Sequence, residues 1–156
     1  MALPTAALTA ANTIKATQIW AVITPSGGSA IEIPLTKLSG DLSVGEVSRS
    51  IPQGGFITPD RSLPTTREQS YVCSTSDFVA ATRALAFGAS VTEGTCELWV
   101  VDPADATGYV KFRTNAFNCT VMPESDAEYD FENFSEWSFR VKALQIVTET
   151  YDGADT

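Results

Sequence analysis

The chain has 156 residues, 44% of them hydrophobic and 19% charged, and a formal net charge of −9. That length suffices for one domain with a real core, and the apolar fraction excludes a disordered chain. The acidic balance argues against gripping nucleic acid by its phosphates or docking on an anionic membrane, since both need clustered Lys and Arg. Nucleic acid that passes close by and is repelled remains compatible with it.

Residues 1–16 are small, polar and aperiodic, and read as an N-terminal arm that is ordered only when something holds it. They lack the basic and Leu-rich regions of a secretory signal, and no apolar run reaches transmembrane length. Residues 17–151 read as a single β domain, and 152–156 as a polar tail. "TQIWAVIT" predicts a strand, "PSGG" a turn, and "SAIEIPL" a second strand with Ile31, Ile33 and Leu35 on one face. "GDLSVGEVS" alternates Leu42 and Val44, then slips phase at Val47 beside Gly45, which predicts a β-bulge.

Arg49 to Gln69 holds three prolines and a Gly pair, which excludes a helix or a central strand. The segment is expected to be a long inserted loop over 49–69. Its Ile51, Phe56, Ile57 and Leu63 are more than a solvated linker needs. These four are therefore the candidate subunit contacts.

"SYVCSTS" predicts a strand ending at Ser76, a helix N-cap. The helix "DFVAATRALAFG" carries Phe78, Ala81, Thr82 and Leu85 on one face and Gly88 as C-cap. "TCELWVV" is a strand, "DPADATG" a turn, and "YVKFRT" and "AFNCTVM" are strands with a bend near Asn115. "PESDAEYDFENF" is an acidic loop. In the last strand Trp137, Phe139, Val141 and Ala143 alternate with Glu136, Ser138, Arg140 and Lys142. The phase then slips, so that Leu144 and Ile146 fall on the other face. A β-bulge near Ala143–Leu144 accounts for this, and so does a strand that serves its own core with one half and a neighbour with the other.

The residue set offers little chemistry. With no histidine, Ser/His and Cys/His pairs are impossible. Neither a P-loop nor a GxGxxG is present. Glu124, Asp126, Glu128, Asp130 and Glu132 alternate along the acidic loop but lack the Gly and terminal Glu of a calcium loop, and read as solvated. Cys73, Cys96 and Cys119 form no CxxC. They read as small buried apolar residues in a reducing compartment, with an inter-subunit disulfide as the other reading. The sequon at Asn118 reads as chance. No catalytic residue, metal site or cofactor is expected, and an enzyme is the weaker class.

The order of elements resembles the major tail tube proteins of long-tailed bacteriophages. The stretch "YVKFRTNAFNCTVMPESDAEYDFENFSEWSFRVKAL" carries most of it. A strand with a central aromatic, Phe112, leads to a second strand, a polar loop and then Trp137-x-Phe139-x-Val141-x-Ala143. The helix "SDFVAATRALAF" ahead of it also fits. The resemblance spans residues 18–150, on element order and strand texture. It implies a mainly β, sandwich- or barrel-like subunit with one flanking helix, whose sheets join into a shared β-barrel in a hexameric ring. Rings would stack into a tail tube, a conduit for DNA that transits without specific binding. The implied partners are the chain itself, tape measure, tail terminator and baseplate or tip proteins, with no membrane. The implied place is the virion tail, after assembly in the host cytoplasm. Glu136, Ser138, Arg140 and Lys142 become candidates for the lumen or wall. Arg140 and Lys142 would attract phosphate unless neighbouring carboxylates, such as Glu46 or the acidic loop, pair with them. Other readings are a head-decoration or tail-completion protein and a monomeric β-sandwich binding module.

Overall fold

The computed structural model describes residues 2, 3, 14, 18–53, 56–102 and 110–151, with the backbone alone given over 47–53 and 56–65. Most of the arm expected over 1–16, most of the "DPADATG" turn and the tail at 152–156 lie outside the described residues. Among those described, nine strands and one helix follow in order. They are β1 (Gln18–Pro25), β2 (Ile31–Leu35), β3 (Lys37–Gln53), β4 (Phe56–Thr75), α1 (Ala80–Phe87), β5 (Thr92–Val101), β6 (Val110–Thr114), β7 (Phe117–Ser125), β8 (Trp137–Ala143) and β9 (Glu149–Tyr151). The strands form one antiparallel sheet in the order β2-β1-β5-β7-β8-β4-β3, with β6 and β9 branching from β5.

Alternation builds the core. Ala21 and Ile23 of β1, Ile33 and Leu35 of β2, Tyr71 and Cys73 of β4, and Cys96 and Leu98 of β5 are buried on one face. Phe117, Cys119 and Val121 of β7 and Trp137, Phe139 and Val141 of β8 join them. The open sheet curls around this layer until its second strand meets β4. There the Thr36 N–H donates to Ser74 O at 2.8 Å, and the Thr75 hydroxyl donates to Pro34 O at 2.7 Å. Helix α1 adds Thr82, Leu85 and Ala86 to the buried side. The β1–β2 turn closes with the Gly28 N–H on Pro25 O at 2.9 Å, and Gly27 at φ 76° supplies the positive φ that a type II turn requires.

The helix starts later than expected. Residues 76–79 are not helical, and the N-cap is Val79, not Ser76. Side chains account for the delay. Thr75 Oγ1 accepts from the Asp77 N–H and Asp77 Oδ1 from the Val79 N–H, each at 3.0 Å, so the connection keeps donors that a helix would otherwise order. Phe78 and Ala81 are accordingly exposed. Gly88 ends the helix as expected, but in extended conformation. A Cβ there would lie 2.5 Å from Ala84 O, so close backbone approach selects the glycine.

The segment 49–69 is not a loop. β3 and β4, of 17 and 20 residues, pair in register from Lys37↔Ser74 out to Gln53↔Phe56. Only Ser70–Thr75 of β4 pairs with β8, so the outer part of the hairpin is a two-stranded ribbon. The prolines are accommodated because the ribbon is nowhere a central strand. The register shifts at Gly45/Glu46 and Arg49/Ser50 leave Thr65 and Asp60 as the extra residues, each next to a proline, Pro64 and Pro59. Bulges are where a missing N–H is tolerated. The first shift falls opposite Gly45, but its extra residue, Thr65, lies in β4 and not in β3, where the phase slip was expected to mark a bulge.

The phase slip after Ala143 has a different cause from a bulge: the strand ends. The Leu144 N–H bonds Asn118 O at 2.8 Å, Val147 turns into the core, and β9 then pairs with β6 instead. Leu144 and Ile146 are exposed on the crossing segment. β6 and β7 both run along β5 and bend apart at residues 115–116, near the expected position.

Candidate assembly surfaces

The sheet face turned away from the core is organised around Arg140. Its Nε and Nη2 donate to the two carboxylate oxygens of Glu124 at 3.0 and 3.2 Å. Its Nη1 donates to Asp41 at 3.2 Å and to the Ser70 hydroxyl at 2.7 Å. Lys142 lies 3.8 Å from Glu68. Strand pairing explains the convergence: β4 places Ser70 against Lys142 and Val72 against Arg140, while β3 places Asp41 against Ser70. Glu124 arrives through a bulge. The β7–β8 register passes from Pro123↔Phe139 to Ser125↔Ser138, which leaves Glu124 as the extra residue. The hydrogen bonds from Arg140 hold the Glu124 carboxyl below its ordinary range, and those to Glu124 and Asp41 push the guanidinium higher still. Two cations thus face three carboxylates, and this cluster is net negative.

Of the wall residues predicted from sequence, Ser138, Arg140 and Lys142 share this face. Ser138 is buried between neighbouring strands, and Glu136 sits exposed just before β8. Sequence reasoning anticipated a partner from the acidic segment, and Glu124 is one. Asp41, Glu68 and Ser70 were missed, because only lateral strand register brings them near Arg140.

At the opposite end of β8 a second surface forms beside α1. Trp137 Nε1 donates to Asp77 O at 2.7 Å. The Arg83 guanidinium lies over the Phe87 ring at 4.3 Å and over Trp137 at 5.0 Å, and bonds Asp126 at 2.9 Å. The Ala127 N–H and Arg83 together hold the Asp126 carboxyl low. Asp130 Oδ1 then accepts from the N–H groups of Asn133 and Glu132, at 2.7 and 2.9 Å, and shapes the loop into a turn. The turn presents Phe131 and Phe134 outward, at 109% and 97% relative exposure. Tyr129 is exposed against Phe78, with ring centroids 6.2 Å apart.

The third surface is the β3–β4 ribbon. Ile51, Phe56, Ile57 and Leu63 all lie on its strands, and their side chains are outside the described residues. Leu42 and Val44 near its base are half exposed. Leu144 and Ile146 line a groove there with Arg67, Glu68, Gln69 and Lys142.

Cys73, Cys96 and Cys119 are free and buried in the core. Burial pushes their thiols up, Cys119 to about 11. Among the described residues no group of His, Cys, Asp and Glu could hold a metal ion, and no helix is long and apolar enough to cross a membrane.

No protein-family model and no curated protein matches the sequence. Solved structures do match. The chain is similar to the Hcp protein at TM-score 0.52 and 15% identity, over 90% of this chain and 96% of that one. It is similar to a chain of the 6-fold symmetrised anti-feeding prophage baseplate at TM-score 0.52 and 11% identity, over 96% and 98% of the two chains. A chain of the sheath/tube terminator of an extracellular contractile injection system, in its extended state, matches at TM-score 0.50 and 11% identity, over 88% and 96%. At these identities the likeness is one of fold: the chain carries the fold of the Hcp protein and of these injection-system chains, in keeping with the tail tube resemblance read from its strand order.

Proposed function

We propose that this chain is a non-catalytic structural subunit that self-assembles into hexameric rings stacked as a tail tube, a conduit through which DNA passes into a host. The observation that carries the reading is the β3–β4 ribbon. A two-stranded hairpin is at best marginally stable in water. This one extends well past the strand that supports it, and its sequence carries Ile51, Phe56, Ile57 and Leu63. A neighbouring subunit would supply the missing packing. The open sheet also leaves β2 and β3 as edges, which joining sheets around a ring would cover. In this reading the Arg140 face, with Ser138, Lys142 and nearby Glu136, forms part of the wall. Its cations are neutralised within the chain, so phosphates are repelled and DNA slides. Tape measure, terminator and baseplate or tip proteins are the further partners, and the virion tail is the location.

Sedimentation velocity of the purified chain tests this. Large species that grow with protein concentration support it. A single monomer boundary at every concentration and salt refutes it.

A further inference from the structure

The outward face of β1 and β5 carries a group that neither the core nor the Arg140 cluster uses. Ala21 and Leu98 turn into the core, so Trp20 and Trp99 turn outward, and strand register sets them side by side. The row continues to Pro34 of β2 on one flank and to Arg113 of β6 on the other. Both indoles are half-buried. Outward strand positions usually take polar residues, so a tryptophan pair there needs a reason. The Arg113 guanidinium lies over the Trp99 ring at 4.3 Å, so this face already holds one cation on its π-electrons.

Trp20, Trp99, Val101 and Val110 wall an open pocket of about 350 Å³, and Glu32 is its only charged lining residue. Register brings Glu32 there, because β2 sets it against Val22, the next outward residue after Trp20. Glu97 of β5 stands against Val22 from the other side. Among the described residues the Glu32 carboxylate accepts no hydrogen bond and makes no ion pair. Lys111 is buried, Arg113 is held on Trp99, and neither lines the pocket.

This lining selects among ligands. A phosphate would meet Glu32 and be repelled. A sugar would bring many hydroxyls to a wall with one acceptor side chain and leave most of them unpaired. A primary ammonium has three N–H donors and meets the same shortage. A neutral apolar molecule would desolvate Glu32 without compensation. A quaternary ammonium has none of these difficulties. It carries no N–H, its methyl groups pack on indole and valine, and both rings and the carboxylate stabilise its charge.

We infer that Trp20, Trp99 and Glu32 form a binding site for a trimethylammonium group of the kind carried by choline. The site lies apart from the surfaces assigned to assembly and does not depend on that reading.

Isothermal titration calorimetry of the full chain with choline chloride tests this, with sodium chloride as the blank. Choline should bind saturably. Its neutral isostere 3,3-dimethyl-1-butanol, in which carbon replaces nitrogen, should bind at least about tenfold more weakly. Glu32→Gln, at an exposed position, should weaken choline binding about threefold or more. Trp20→Leu keeps an apolar side chain without the ring and should abolish binding. Circular dichroism checks the fold of both variants, and Glu32→Gln carries the test if Trp20→Leu is unfolded. Co-sedimentation with phosphatidylcholine vesicles identifies the source: vesicle binding in addition to choline binding points to a lipid headgroup, and choline binding alone to a free solute. Binding to vesicles without binding to choline overturns the inference, since the cation is then not what is recognised. Equal affinity for choline and its isostere, unchanged affinity in folded Glu32→Gln, or no saturable binding of either kind also overturns it.

Discussion

Glu124 and Arg140 meet through two hydrogen bonds, at 3.0 and 3.2 Å, because β7 carries one residue more than β8 opposes. A bulge that would otherwise only break the ladder turns a carboxylate onto the cation of the next strand. Folded-state Glu124 binds its proton less readily than an ordinary carboxylate. The pair's contribution is therefore present above the unfolded carboxylate range and lost as pH falls through the lower folded value. Urea unfolding of wild type and Arg140→Met, from about pH 7 down to about pH 3, should show a stability gap that closes in acid. A constant gap contradicts the assignment.

If the proposed tube is built with this face in its wall, the same arginine should also affect assembly. Arg140→Glu places a fourth negative group among Glu124, Asp41 and Glu68. Assembly should weaken, and more at low salt than at high salt, because screening relieves exposed like charges. Equal assembly at every ionic strength means that these groups are merely solvated.

Trp137 is the keystone between β8 and α1. Its ring is buried, packs edge-on against Phe87 at 5.7 Å, and donates to Asp77 O. Trp137→Ala should cost about 3–5 kcal/mol of unfolding free energy. Trp137→Phe keeps most of the packing but leaves a carbonyl unpaired, and should cost about 1–3 kcal/mol. Denaturant unfolding gives both, and a loss near zero for Trp137→Phe would show that the hydrogen bond contributes nothing.

How much of this was legible depends on burial. Trp137, Phe139 and Val141, like Ile33 and Leu35, alternate because one sheet face is buried within the chain, and period two marks them in sequence. Residues 49–69 carry no such alternation, and beyond Ser70 the ribbon pairs with no strand outside its own hairpin among the described residues. Its prolines beside bulges mimic a loop. The Gly54–Gly55 pair between two apolar runs was the available hairpin cue. The three residues of β9 are too few to alternate, and the contact of Asp41 with Arg140 spans 99 positions in sequence. Neither has a local signature.

Gly94 faces Pro25 across the β1–β5 pair, where an added Cβ would fall 2.1 Å from Thr24 O. Gly94→Ala must part the strands and should cost at least about 2 kcal/mol. Gly28→Ala, whose Cβ would meet only ordinary contacts from 3.5 Å outward, should change stability by less than about 0.5 kcal/mol. Similar losses at both sites would contradict the tight strand approach.

The three cysteines should be silent toward a maleimide in the folded chain and all react in denaturant, since each is buried with its thiol pushed up. Rapid labelling of the native protein would place at least one of them outside the core.

The most direct measurement is electron microscopy of the purified full chain, negatively stained across a range of concentration and salt. Rings with six-fold class averages, and tubes built from them, are the predicted result. A field of isolated monomers under every condition, with the fold intact by circular dichroism, would contradict the tube assignment.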